Sequence, residues 1–291
     1  MNNSLYIAAT GMQAQQSNLD TIANNLTNLN TNGFKSSVVN FQELMYVDPV
    51  GARSSQTELH SVHSGHGAHG MQAMQHADQM NPDSVGCDGE SASITPYGTG
   101  VSVGSVTKDF TVGTMTQTNS QLDVAIQGNG FLEVTMPDGS HAYTRGGTLS
   151  VGADNFLMGP QGYEIKPSIR LPANPTGITI AANGQISVTT ATSTQPVQVG
   201  QIELANFNNP AALNPQGNGI YLPTALSGQA TYSAPGSSNA GSLLQGSLEG
   251  SNVNMVNQMV SLMVAQRAYE LSSKVVQTAD ELMSLTNNLR R

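Results

Sequence analysis

The sequence predicts an α+β protein. An N-terminal and a C-terminal helix pair as a coiled coil, around an all-β middle domain and an extended connecting region. Two observations predict this. Both ends of the 291-residue chain carry rows of residues, mostly apolar, spaced by seven, which is the seam of a coiled coil. Between them the chain becomes Gly-, Thr- and Val-rich, in short alternating runs closed by turn residues.

At the N-terminus, Leu5, Met12, Leu19 and Leu26 form one row, and Ala8, Gln15, Ile22 and Leu29 a second. The segment runs to about Asn30, where Thr31-Asn32-Gly33 supplies a stop. Eight Asn fall within its first 32 residues. Each costs roughly half a kcal/mol against Ala in a helix, so this helix needs a partner to persist. At the other end Met255, Leu262, Tyr269, Val276 and Met283 repeat the spacing, with Ala265, Ser272 and Ala279 beside them. Ser251 or Asn254 is positioned to cap that helix, and Gln258 is read on its polar side. Arg267 and Glu270, three apart on the same side, fit either a solvated intrahelical pair or a salt bridge between subunits.

In the middle, the run 122–126 ends at Gly128-Asn129-Gly130, and the run 131–134 ends at the turn Pro137-Asp138-Gly139-Ser140. Ile178-Thr179-Ile180, Asn183-Gly184 and Ile186-Ser187-Val188 read as a hairpin, and 197–207 as one further strand. The division that follows is 1–32 with 252–291 as the helical domain and 33–118 with 226–251 as the connecting domain. Residues 119–225 are then the β domain, and a His- and Met-rich insert, 60–95, belongs to the connecting part.

Composition excludes several functions. The net charge is −9 and only 10% of residues are charged, which argues against nucleic acid and anionic membrane surfaces as partners. A weakly charged surface suits packing against copies of the same chain. Cys87 is the single cysteine, so no intrachain disulfide forms. No run approaches the roughly 20 apolar residues of a membrane span. No basic segment precedes Lys35, so the start does not read as a cleaved secretory signal. Hydrolase and phosphate-binding motifs are absent, and His141 beside Asp138 reads as an exposed turn residue. The chain is therefore read as no enzyme, with no cofactor. His60, His63, His66, His69 and His76, with Met71, Met74 and Met80, are candidate metal ligands by type only. Gly65, Gly67 and Gly70 oppose a helix there, and a step of three drifts around any helix, so no metal is assigned.

Two terminal strings carry a resemblance. Asn25-Leu26-Thr27-Asn28-Leu29-Asn30-Thr31-Asn32-Gly33-Phe34-Lys35 resembles the N-terminal signature of the flagellar rod and hook axial proteins. Ser251-Asn252-Val253-Asn254, continuing to Gln266-Arg267-Ala268-Tyr269-Glu270, resembles their C-terminal signature. The middle is most similar to the distal rod members. The matching strings are Asp123-Val124-Ala125-Ile126-Gln127-Gly128-Asn129-Gly130-Phe131, Ala142-Tyr143-Thr144-Arg145, Leu171-Pro172-Ala173-Asn174 and Pro196-Val197-Gln198-Val199-Gly200-Gln201.

The resemblance implies a structural subunit that polymerises helically into a hollow periplasmic shaft, carrying torque and an export channel. It implies Leu5, Met12, Leu19, Ile22, Leu26, Met255, Leu262, Tyr269, Val276 and Met283 as the seam of an inner domain. The signature positions it implies are Asn25, Asn28, Asn30, Gly33, Phe34, Asn252, Asn254, Gln266 and Arg267. Partners so implied are copies of the chain, proximal rod and hook or junction proteins, peptidoglycan-layer and outer-membrane ring proteins, and the flagellar type III export apparatus. Phe41 and Met45 match a short export element of that family. The alternatives are a proximal rod or hook-type subunit, or a periplasmic metal-binding protein using the insert.

Overall fold

The computed structural model describes residues 2–47, 97–191, 193–237 and 239–289. The insert 60–95, with its five histidines His60, His63, His66, His69 and His76 and with Cys87, lies outside the described residues.

Helix α1 is Asn2–Thr27 and helix α2 is Met255–Leu289. At about 1.5 Å per residue they are about 39 and about 52 Å long. They pack antiparallel. Gly11 lies beside Ser272, while Ile22 and Asn25 share a cavity wall with Gln258 and Ala265. After α1 the chain turns at Gly33, whose φ of 69° is left-handed and easy only for glycine. The Gly33 N–H donates to the Glu249 carbonyl at 2.7 Å, so this turn is tied to the segment that enters α2. Asn254 caps α2, its Oδ1 accepting the Asn257 N–H at 3.1 Å.

A two-stranded antiparallel ribbon, Ser37–Glu43 with Val101–Lys108, runs along α1. Ser37 is opposite Lys108 and Glu43 opposite Val101. The ribbon's base meets Asn25, and its far end brings Gly100 against Ile7 and Thr10. A shorter pair, Tyr46–Val47 with Tyr97–Gly98, lies beyond it.

The middle is built of antiparallel sheets, the largest with seven strands. Both predicted hairpins form. Thr135 faces His141 across the 137–140 turn, and Ile180 faces Ile186 across Asn183-Gly184. The run 197–207, expected as one strand, is two, Ser193–Gln201 and Leu204–Asn206. The break is at Ile202, which turns fully into the core while its N–H donates to the Gly184 carbonyl at 2.8 Å. Alternate residues such as Val124, Ile126, Leu132, Val134, Ile186 and Val188 meet in one closed core. A second cluster is aromatic. Phe110, just past the ribbon, packs edge-on to Phe131 and Tyr221, with ring centroids 5.2 and 5.1 Å apart. It fastens the ribbon's base to the β domain.

Candidate functional site

Three charged side chains from distant parts of the chain meet at this base. Lys35 follows the α1 turn, Arg145 sits at a corner between two strands, and Glu249 ends the last strand before α2. The Lys35 and Glu249 side chains are 0% and 2% exposed. Lys35 Nζ donates to Glu249 Oε1 at 2.7 Å and to the Thr111 carbonyl at 2.6 Å. Arg145 Nε donates to Glu249 Oε2 at 3.2 Å, and Nη1 to the Gly130 carbonyl at 2.7 Å. The Gly113 N–H adds a further donor to Glu249 Oε1 at 3.1 Å. A Cβ at Gly113 would stand 2.1 Å from the Gly250 carbonyl oxygen, so only glycine lets the two backbones approach this closely.

Electrostatics follows from burial and pairing. Burial lowers the Lys35 ammonium below its ordinary pKa, against the opposing pull of Glu249. Burial alone would raise the Glu249 carboxyl, but Arg145 and Lys35 beside it outweigh this and hold it below its usual value. One anion thus serves two cations, and the carbonyls of Thr111, Gly130 and Ile126 accept further N–H donors from them. Such a cluster is worth little over an apolar core, yet removing its anion is costly.

Two asparagines extend the joint. Asn25 clamps Ser37 twice, its Nδ2 donating to the Ser37 carbonyl and its Oδ1 accepting the Ser37 N–H, each at 2.8 Å. Asn252 Oδ1 accepts the Ser36 N–H at 2.8 Å, and its Nδ2 donates to the Asp109 carbonyl at 2.8 Å. Of the other signature positions, Asn28 Nδ2 donates to the Asn24 carbonyl at 2.9 Å. The Phe34 ring lies 4.6 Å from the Lys108 ammonium. Asn30, Asn254, Gln266 and Arg267 are exposed.

The helix pair presents a different surface. α1 forms the floor of a trough whose walls are the ribbon and α2. Its lower part, about 530 Å³, is lined by residues including Gln15, Asn18, Ile22, Val38, Phe41 and Val264. Its upper part, about 480 Å³, is lined by residues including Ile7, Ala8, Gly11, Val101 and Val275. Of the seam residues, Ile22 is buried, and Leu5, Met12, Leu19, Leu26, Leu262, Val276 and Met283 are half-buried. Met255 and Tyr269 are 45% and 38% exposed. A strict step of seven drifts by roughly 20° per heptad on a straight helix, so one row does not hold one face over the length of α2. Gln258, read from sequence on the polar side, instead lines the trough, one turn from Leu262 and two from Ala265.

Val260, Val264 and Val275, which line the trough, continue with Leu271, Leu282, Leu285 and Leu289 as an exposed apolar stripe along α2. Phe41 is half-exposed at the trough wall, and Met45 is almost fully exposed. In the β domain, His141 pairs through Nδ1 with Glu133 Oε1 at 2.6 Å. Asp138 instead accepts the Ser140 N–H and hydroxyl. Among the described residues no group of three or more His, Cys, Asp or Glu is arranged to hold a metal ion.

Models of three families match the chain. The flagella basal body rod protein model covers residues 5–35, and the flagellar hook protein FlgE/F/G D1 domain covers residues 125–188. The flagellar basal body rod FlgEFG protein C-terminal model covers residues 244–289. The flagellar basal-body rod protein FlgG of Borreliella burgdorferi is 39% identical over 293 residues, across 100% of both chains. That of Caulobacter vibrioides is 39% identical over 292 residues, across 98% of both, and that of Bacillus subtilis 29% over 296 residues, across 100% of both. The chain belongs to the flagellar basal-body rod protein family.

This rod subunit is a structural protein of the basal body and not an enzyme. It assembles there with other flagellar components. The terminal matches contain Asn25, Gly33 and Lys35 at one end and Glu249 and Asn252 at the other, which are both halves of the joint. Sequence reasoning singled out the asparagines and Gly33 and quoted Lys35 and Arg145 within strings. It missed Glu249. A signal was present, because Glu249 is the only charged residue in 204–266. A lone carboxylate in so neutral a stretch needs a specific partner.

Proposed function

We propose that this chain is a distal rod subunit, polymerising helically into a hollow periplasmic tube that carries torque outward and protein cargo through its bore. The observation that supports it is the apolar stripe of α2, too extensive for a free monomer surface. On this reading the domain comprising 1–32 and 252–291 lines the bore, and its helices complete their coiled-coil packing only against neighbouring copies. The seam positions from Leu5 to Leu26 and from Met255 to Met283 serve that packing. The connecting domain, 33–118 with 226–251, holds the charged joint, and the β domain, 119–225, faces outward.

The joint suits a load-bearing element. It links α1, through Asn25, and the segment entering α2, through Asn252 and Glu249, to Arg145 of the β domain by buried and half-buried hydrogen bonds, so rotation of the outer part is passed to the inner part. Proximal rod, hook or junction proteins, the rings and the export apparatus are its partners. Export proceeds without a cleaved signal, with Phe41 and Met45 in the export element. Electron microscopy of basal bodies from a strain lacking this chain tests the assignment. The expected particle has rings and a short proximal rod but no distal rod. A full-length rod lacking only the hook would reassign the chain as a hook-type subunit.

A further inference from the structure

We propose that the cavity beside the charged joint is a carboxylate-binding site, in which Arg145 supplies the cation and neighbouring asparagines supply further donors. The cavity is about 620 Å³, and its walls include Phe110, Gly130, Phe131, Arg145 and Phe207. Arg145 itself is 3% exposed.

A guanidinium carries five N–H groups. In Arg145, Nε donates to Glu249 Oε2, and Nη2 donates to the Ile126 carbonyl and to Glu249 Oε1. Nη1 donates only to the Gly130 carbonyl, so one Nη1 N–H keeps no acceptor among the described residues. Gly130 is a wall of the cavity, and so is Phe131, whose ring centroid lies 5.7 Å from the guanidinium carbon. The spare N–H therefore borders the cavity. The charges point the same way. Lys35, Lys108 and Arg145 gather at the base of the ribbon with two carboxylates, Glu249 and Asp109, and no carboxylate lines the cavity. A positive charge in excess acts over a short, poorly screened path when it is buried.

The remaining lining favours a carboxylate over a simple halide. The amides of Asn129, Asn208 and Asn239 and the hydroxyl of Thr231 line the cavity and have no hydrogen-bond partner among the described residues. A carboxylate accepts the Nη1 N–H on one oxygen and an amide N–H on the other, whereas chloride is a single acceptor point. The cavity is larger than a carboxylate, so the group arrives on a carrier whose polar atoms meet the other amides. That carrier is a free small acid or an Asp or Glu side chain of a second copy.

The test titrates the full-length, ¹⁵N-labelled chain with sodium acetate, and with sodium chloride at equal ionic strength, followed by NMR. The expected result is saturable shifts at Arg145 Nε and at the side-chain amides of Asn129 and Asn239 with acetate only. Both asparagines are exposed and lie outside the joint. Asn129→Ala and, separately, Asn239→Ala should each melt like the parent and bind acetate about fivefold more weakly, the loss of one hydrogen bond. No shift, equal shifts with chloride, shifts confined to other residues, or undiminished binding in both variants overturns the site. None of these results depends on the rod reading. Photoreactive p-benzoylphenylalanine in place of Thr231, irradiated in basal bodies, then identifies the carrier. An adduct to an Asp- or Glu-bearing peptide of a second copy assigns a side chain, and acetate binding without such an adduct assigns a free acid.

Discussion

The β domain and the helix pair treat their apolar residues in opposite ways. Val124, Ile126, Leu132 and Val134 are 0% exposed, sealed by strands of the same chain. On α2, Ala265 alone among the described residues is buried, while Val264 and Leu271 are 62% and 66% exposed. Both regions have the apolar pattern of a core. The difference teaches that one core is completed within the chain while the other is left open, and on the rod reading proposed above it is neighbouring chains that close it. The charged joint lies between them, holding the open half to the closed half.

The sharpest way to break this comparison is to charge the open half. Val264→Asp puts a carboxylate on the α2 stripe. In the monomer the change is solvated and alters stability by less than about 0.5 kcal/mol. In a packed contact an unpaired charge costs several kcal/mol, repeated in every subunit. The expected result is a normally melting monomer and no rods by electron microscopy. Rods of normal length, or a monomer that melts like a core variant, would dissolve the distinction.

Next in size is the joint. Glu249→Ala leaves Lys35 and Arg145 buried without their anion and is expected to cost about 3–5 kcal/mol in thermal unfolding. Lys35→Met is milder, because Glu249 keeps Arg145 as a matched partner. Equal losses for the two variants would mean that packing, not charge balance, holds the joint.

A smaller effect is expected at the clamp. Asn25→Ala removes both bonds to Ser37 and leaves its N–H and carbonyl unpaired in a half-buried site. Chemical denaturation should show a loss of about 1–3 kcal/mol. A neutral result would place the ribbon's attachment to α1 elsewhere.

The smallest expected effect is with acid. Glu249 is held below its ordinary 4.5 in the folded chain, so the unfolded chain binds its proton first as pH falls. Its stabilisation is fully present above about pH 4.5 and is lost as pH drops through the folded value below that. Melting temperatures measured down this window should fall more steeply for the parent than for Glu249→Gln. Parallel curves would assign the acid sensitivity to other carboxylates.

Much of the fold was legible because its signals are local. Asn183-Gly184 and 137–140 announced their hairpins through turn chemistry, and Gly33 announced its left-handed turn. The strand break at Ile202 was not legible, since an alternating run does not say where it leaves its sheet. Gln258 was not legible because a polar side chain hid its place: it lies seven residues before Ala265, in the row that faces α1.

By itself the sequence determined what depends on neighbours along the chain: two terminal helices, a turn-rich β middle, and the terminal strings that mark the rod family. Only the tertiary structure decided which charges are buried and which apolar faces remain open. Lys35 and Glu249 are 214 positions apart, and nothing adjacent to either names the other. Helical period specifies a face but not what covers it. Burial is a property of the folded surface, set when distant segments close on one another, so the joint and the open stripe of α2 became visible only there.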